Sequence, residues 1–186
     1  MAEDIPDGVS VLIVDDEENL ADMFAAYIHD VETVDVAYGG AAGKEAVDDS
    51  YDVVLLDRLM PPVPGDDVLE YMDAADIDCR VALVTAVDPD FDIVELSIDD
   101  YLVKPVSREE LRTTVRRLAR LGEFDERRQE LTSKKSKRNA LKIKKSPEEL
   151  DASEKFDALE GEIEALEAEI ESISQEIDVE DIDVPL

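Results

Sequence analysis

The sequence predicts an α/β fold, a doubly wound sheet of five parallel strands, followed by a helical, coiled-coil C-terminal segment. Three observations predict it. Apolar runs of strand length recur between polar stretches of helix length, as in parallel sheets buried on both faces. Four of those runs end in a polar signal. Val11-Leu12-Ile13-Val14 ends in Asp15-Asp16, Val53-Val54-Leu55-Leu56 in Asp57, Val81-Ala82-Leu83-Val84 in Thr85, and Tyr101-Leu102-Val103 in Lys104-Pro105. Beyond the sheet pattern, a seam of apolar residues at spacings of three and four fills the last part of the chain. Sites in open α/β sheets form beyond the carboxyl ends of the strands, so three acids, a hydroxyl and an ammonium converge there. That set suits receipt of a phosphoryl group on a carboxylate.

In order, the elements are a strand Val9–Val14, a helix Glu17–His29, a strand Thr33–Ala37, a helix Ala41–Asp48 and a strand Asp52–Asp57. A helix Asp66–Ala75, a strand Arg80–Thr85, a short helix near Asp92–Ser97 and a strand Asp100–Val103 follow, with a last helix from Arg108. Ser107-Arg108-Glu109-Glu110 is a Ser-x-x-Glu capping box, which fixes that start. Leu111, Val115 and Leu118 form the apolar stripe of this helix, with Arg112, Arg116, Arg117 and Arg120 beside it.

Asp-Asp pairs also occur at Asp48-Asp49, Asp66-Asp67 and Asp99-Asp100, where they read as solvated surface. Asp15-Asp16 differs because it directly follows a fully apolar strand. The order of acid pair, lone Asp, Thr and Lys-Pro resembles the receiver domain of two-component response regulators over residues 8–121. Asp57-Arg58-Leu59-Met60-Pro61 with Gly65 resembles the family's phosphoacceptor loop, and Tyr101-Leu102-Val103-Lys104-Pro105 its last strand and cis-peptide turn. The resemblance implies a flavodoxin-like receiver fold with Asp57 as phosphoacceptor. It implies Mg²⁺ held by Asp15, Asp16, Asp57 and the backbone carbonyl of Leu59, and phosphoryl contacts from Thr85 and Lys104. Thr85 and Tyr101 would be the switch residues and a histidine kinase the partner.

Physical chemistry agrees with that assignment. A phosphoryl donor and a carboxylate repel, so transfer needs cations; a hard, oxygen-ligated ion suits three carboxylates, and Lys104 adds a second charge. The one histidine, His29, falls at the end of the first helix and reads as a surface residue, so the chain is expected not to be an enzyme. A phosphatase with an aspartate nucleophile would need an acid two residues further on, where Leu59 stands. Thr85 and Lys104 are separated by 18 residues interrupted by Pro89, fewer than in most receivers, which predicts a short or irregular fourth helix and an altered activation face.

Fifty acidic against 19 basic residues give a net charge of −31. Self-repulsion on that scale opposes compaction in dilute buffer, but in molar salt the Debye length falls to about 3 Å, so a halophile's cytosol is the expected setting. Cys79 is the single cysteine, Met1-Ala2-Glu3-Asp4 lacks the features of a signal peptide, and no apolar run approaches the roughly 20 residues of a membrane span. A cytoplasmic location follows as an expectation.

Charge suggests three parts: a receiver over 1–121, a basic helical linker over 122–145, and an acidic coiled-coil helix with its tail over 146–186. Within the linker, the stretch Arg127–Lys145 holds nine basic side chains, Arg127, Arg128, Lys134, Lys135, Lys137, Arg138, Lys142, Lys144 and Lys145, against one acid, Glu130. Three readings are open: nucleic-acid contact, a solvated face, or a partner for the acidic segment. Ser146-Pro147-Glu148-Glu149 predicts a capped helix start. Phe156, Leu159, Ile163, Leu166, Ile170, Ile173 and Ile177 then form a heptad seam flanked by Glu160, Glu162, Glu167, Glu169 and Glu176. The a and d residues favour a parallel homodimer through Phe156–Ile177, whereas an antiparallel hairpin with the basic segment would pair opposite charges. This tail resembles the HalX-type output segment of haloarchaeal response regulators, which implies a role in transcription control through DNA. The alternative is an adapter or phosphate sink acting by protein contact through the coiled coil.

Overall fold

A computed structural model describes residues 5–181, apart from the side chains at 176 and 178–181, so Glu176 of the seam flank lies outside the described residues. The chain divides into two compact units, residues 1–119 and 120–186. In the first, β1 (Ser10–Val14), β2 (Thr33–Ala37), β3 (Val53–Leu56), β4 (Arg80–Thr85) and β5 (Asp100–Val103) form a parallel sheet in the order β2-β1-β3-β4-β5. The connecting helices are α1 (Glu18–Tyr27), α2 (Gly40–Ala46) and α3 (Gly65–Ala75), and α4 (Arg108–Lys144) follows β5. Between β4 and β5 stands only a short 3-10 helix, Phe91–Glu95, with no buried residue. Pro89 biases Asp88 before it to extended backbone, and Asp90 is extended, so a helix cannot begin before Phe91.

The central strands are apolar throughout because both of their faces are covered. Leu12 and Val14, Val54 and Leu56, and Val81 and Leu83 pack with Met60, Val68, Leu69 and Met72 in one core cluster. The alternate residues Val11, Ile13, Val53, Leu55, Ala82 and Val84 point to the other face and are equally buried, as are Phe24 and Ile28 and, on α4, Leu111, Val115 and Leu118. Burying each large side chain is worth about 1.5–3 kcal/mol, so this two-faced core dominates the unit's stability.

Polar fixtures set the helix ends. The Ser107 N–H donates to Glu110 Oε2 (2.8 Å) and the Glu110 N–H to Ser107 Oγ (3.2 Å), the reciprocal box read from the sequence. On α4, Arg112 grips the Asp30 carboxylate with both amino groups and also donates to the Tyr27 carbonyl (3.2 Å). That guanidinium holds the Asp30 carboxyl down at about 2, from an ordinary 3.8. A depressed carboxylate contributes stability above its unfolded pKa and loses it as pH falls through the folded value. Asp30→Asn should therefore cost at most about 1 kcal/mol at pH 7, since the pair is partly solvated, and most of the deficit should be gone by about pH 2. Urea unfolding of both proteins at the two pH values checks this.

The second unit comprises α4 from Arg120, α5 (Pro147–Asp151) and α6 (Glu154–Asp181). The Ser146 box forms as expected, but it caps the five-residue α5 rather than the long seam helix. The chain breaks at Ala152–Ser153, and Ser153 caps α6, its Oγ accepting from the Phe156 N–H (3.3 Å). This second cap lets Phe156 turn into the seam. Among the described residues, no helix is long and apolar enough to cross a membrane.

Candidate functional site

Parallel register brings the strand ends together. Val14 lies opposite Leu56, so Asp15 and Asp57 leave adjacent strands side by side, and Thr85 pairs with Val103 just before Lys104. Backbone bonds hold this edge: Asp57 N–H to the Val14 carbonyl (2.8 Å), Asp15 N–H to Ala37 (3.1 Å) and Lys104 N–H to Thr85 (2.8 Å). Gly65 is required where it stands, because a Cβ there would lie 2.3 Å from the Asp57 carbonyl oxygen. Its N–H closes the loop by donating to the Arg58 carbonyl (2.9 Å).

One carboxylate oxygen from each of Asp15, Asp16 and Asp57 lies within 4.8 Å of the others. Asp15 and Asp57 are buried and Asp16 is exposed, so the cluster opens to solvent on one side. Lys104 Nζ donates to Asp15 Oδ2 (2.7 Å) and Asp57 Oδ2 (2.8 Å). Burial pushes the Asp15 carboxyl above its ordinary value, with Lys104 and the Glu17 N–H opposing that rise. Burial would lower the Lys104 ammonium, yet its bonds to two carboxylates hold it above the usual value. The Leu59 N–H donates to Asp57 Oδ1 (3.2 Å), and the Leu59 side chain is exposed. Thr85 is fully buried, and its hydroxyl has no hydrogen-bond partner. A buried hydroxyl left so is costly unless a ligand oxygen meets it. The donor set is all oxygen and anionic, which fits a small hard divalent cation. Tyr101 is half-buried and donates its hydroxyl proton to the Val87 carbonyl (2.8 Å), while His29 is exposed and bonds the Ala26 carbonyl (3.1 Å).

Arg58 was not singled out as a site residue by the sequence. Its guanidinium pairs with Asp66 at the start of α3 and with Asp92 in the 3-10 helix, tying the β4–β5 connection down beside Asp57. The signal lay in scarcity: residues 1–107 contain four basic side chains, Lys44, Arg58, Arg80 and Lys104, and two of them sit at this edge.

The basic segment is divided by its partners. Arg127 pairs with Glu169 (3.2 Å), Lys134 with Glu162 (2.6 Å) and Lys135 with Glu167 (2.6 Å), while Arg138 (3.5 Å) and Lys142 (2.7 Å) share Glu160. Later residues of α4 meet earlier residues of α6, so the two helices run antiparallel. Phe156, Ile163, Leu166 and Ile173 are buried within this single chain, with Lys142 Nζ 5.6 Å above the Phe156 ring. Of the two arrangements open in the sequence, the seam thus takes the hairpin, and α4 lies where the second strand of a parallel homodimer would pack. Lys145 pairs locally with Glu149 (2.9 Å) and Arg128 stacks on Phe124 (5.5 Å). Lys137 and Lys144 are exposed.

Comparison with known proteins fits this geometry. The family model described as response regulator receiver domain matches residues 11–116, and the one described as HalX domain matches residues 120–185. A Haloferax volcanii protein described as a transcriptional regulator is 53% identical over 109 residues, covering 58% of this chain and 19% of that protein. The transcriptional regulatory protein CutR of Streptomyces coelicolor is 42% identical over 115 residues, covering 59% of this chain and 53% of CutR. The chain thus spans at most about half the length of these relatives. A crystal structure of the response regulator TrrA from Thermotoga maritima, in complex with Mg²⁺-BeF, is similar at 26% identity with a TM-score of 0.51, covering 59% of this chain and 98% of that one.

Proposed function

Because the chain belongs to the response regulator receiver family, we propose that it accepts a phosphoryl group on Asp57 from a histidine kinase and thereby switches its C-terminal helical segment. One observation carries this reading: three carboxylates, Lys104 and an unpartnered Thr85 hydroxyl meet at a single sheet edge. An oxygen of Asp57 attacks phosphorus, forming an O–P bond as the bond from phosphorus to the donor breaks, and the donor leaves with that electron pair. Asp15, Asp16, Asp57 and the Leu59 carbonyl would hold Mg²⁺, which neutralises charge on the phosphoryl oxygens. Lys104 already bridges Asp15 and Asp57, and it keeps its charge as one of its contacts passes to a phosphoryl oxygen. The Thr85 hydroxyl then gains the partner it lacks, and Tyr101 responds with it. Acetyl phosphate with Mg²⁺ should label the chain, and excess EDTA should abolish that labelling; equal labelling in both conditions would sink the reading.

The acyl phosphate should be long-lived. Leu59 and Val87 stand two residues beyond Asp57 and Thr85, and neither side chain can orient an attacking water. Leu59→Asn or Val87→Glu should shorten the lifetime of labelled protein about tenfold or more. Unchanged decay in both variants would reject the argument.

For the output, nucleic-acid contact by the basic stretch of α4 suits the transcriptional descriptions of the relatives. A second reading, an adapter or phosphate sink acting through protein contact, is favoured by the pairing of five of the nine basic residues with α6. Low-salt titration with duplex DNA of the full chain and of its Ile163→Asp form, in which α6 is released, separates them, since an adapter would bind in neither form.

A further inference from the structure

We propose that α6 is an intramolecular occupant of a nucleic-acid-binding face on α4, so that duplex DNA gains this face only once α6 has left it. The proposal rests on the nucleic-acid reading of the segment given above and adds its regulation. From Leu131 to Pro147 the chain holds no acidic residue, although more than a quarter of the whole sequence is Asp or Glu. Ion pairing explains the cations there that face α6. It does not explain why the opposite side of this stretch, with Ser133, Ser136, Lys137, Ala140 and Lys144, is equally free of acid while exposed. About four turns of helix, 131–144, kept clear of negative charge on every side in a chain of −31 are fitted to an anionic partner larger than α6.

The inner side of that helix already holds anions. Carboxylates of Glu160, Glu162, Glu167 and Glu169 stand against Arg127, Lys134, Lys135, Arg138 and Lys142, where phosphates would otherwise lie. The seam of Phe156, Ile163, Leu166 and Ile173 is buried beneath them, so salt that screens the ion pairs leaves the occupant seated. With α6 in place, Arg128, Lys137 and Lys144 remain for phosphate contact, which predicts weak binding. With α6 displaced, the five inner cations join them, and the slope of log K against log salt should steepen from roughly −3 to roughly −7.

The test is fluorescence anisotropy of a labelled mixed-sequence duplex with the full chain, from 0.2 to 2 M KCl. Ile163→Asp with Leu166→Asp opens the seam. The fourfold exchange of Glu160, Glu162, Glu167 and Glu169 to Gln keeps the seam and removes the competing charge. Both should bind more tightly than the unaltered chain, the seam variant by at least about 100-fold at 0.2 M KCl, since five added phosphate contacts act strongly there. The seam variant makes the chain more acidic, so general electrostatics works against this result. Adding Lys134→Ala, Lys135→Ala and Arg138→Ala to the seam variant should remove the gain. Equal affinity of unaltered and opened chains would overturn the gating and leave the nucleic-acid reading standing, as would a gain that survives the three alanines. If no form binds at any salt while hydrogen exchange shows α6 released, the nucleic-acid reading itself fails, and the proposal with it.

Discussion

Asp57→Asn should abolish phosphoryl incorporation from acetyl phosphate, while the variant keeps the sheet intact. Asparagine matches aspartate in size, so the Asp57 N–H still reaches the Val14 carbonyl and the Gly65 approach is undisturbed. What it loses is the charge proposed as nucleophile, one of the three clustered carboxylates, and one of the two anionic acceptors of Lys104. Asp15→Asn and Asp16→Asn should act differently, because they leave the nucleophile in place. Each removes a charged ligand, so the Mg²⁺ concentration for half-maximal labelling should rise by at least about tenfold, the size of effect that disturbing a ligand's support commonly has. Asp15 is buried and its raised carboxyl marks a charge that the folded state disfavours, so Asp15→Asn should also raise thermal stability at neutral pH, whereas Asp16→Asn at an exposed position should change it little. Undiminished labelling of Asp57→Asn would reject the assignment outright.

Most of this edge was legible in the sequence for a physical reason. A parallel strand buried on both faces has to be apolar along its length, so a charged residue directly after it marks the strand end, and in this topology strand ends share one edge. β2, β4 and β5 accordingly begin and end where the pattern placed them, and the other elements shift by one or two residues. The short 3-10 helix was legible too, from the 18 residues between Thr85 and Lys104. Pairings were less so. Arg58 follows Asp57 in sequence, yet its partners Asp66 and Asp92 come from two later elements, and no periodicity links them. The C-terminal seam shows the same limit. Heptad spacing says that one face of a helix is covered but not by what, and the covering face of α4 reads as polar. Its apolar residues are few, Phe124 and Leu131 among them, and five of its Lys and Arg side chains reach toward α6 with their charges on Glu, as long stems with charged ends can. Binary patterning counts such residues as exposed; here Lys134 and Arg138 have side chains only 21% and 24% accessible.

Ile163→Asp should release α6 from α4 without touching the receiver, and this ranks burial above charge in the hairpin. Ile163 is 2% exposed, so the change forfeits about 1.5–3 kcal/mol of burial and sets a carboxylate in the driest part of the seam. A pair of helices with one narrow seam has little to spare, so hydrogen-exchange protection over 154–173 should be lost while Asp57 labelling persists. Glu162→Gln removes a solvent-screened pair whose members are 21% and 55% accessible, and protection should survive it. The two readings of the seam also part on mass. In a parallel homodimer, Glu flanks Glu across the interface, so association would need molar salt and Ile163→Asp would abolish it. In the hairpin the seam is filled within one chain and opposite charges already face each other. The unaltered and Ile163→Asp chains should then sediment at the same mass in dilute and in molar KCl. A fall in mass on Ile163→Asp, confined to high salt, would return the seam to a dimer and leave the cations of α4 free.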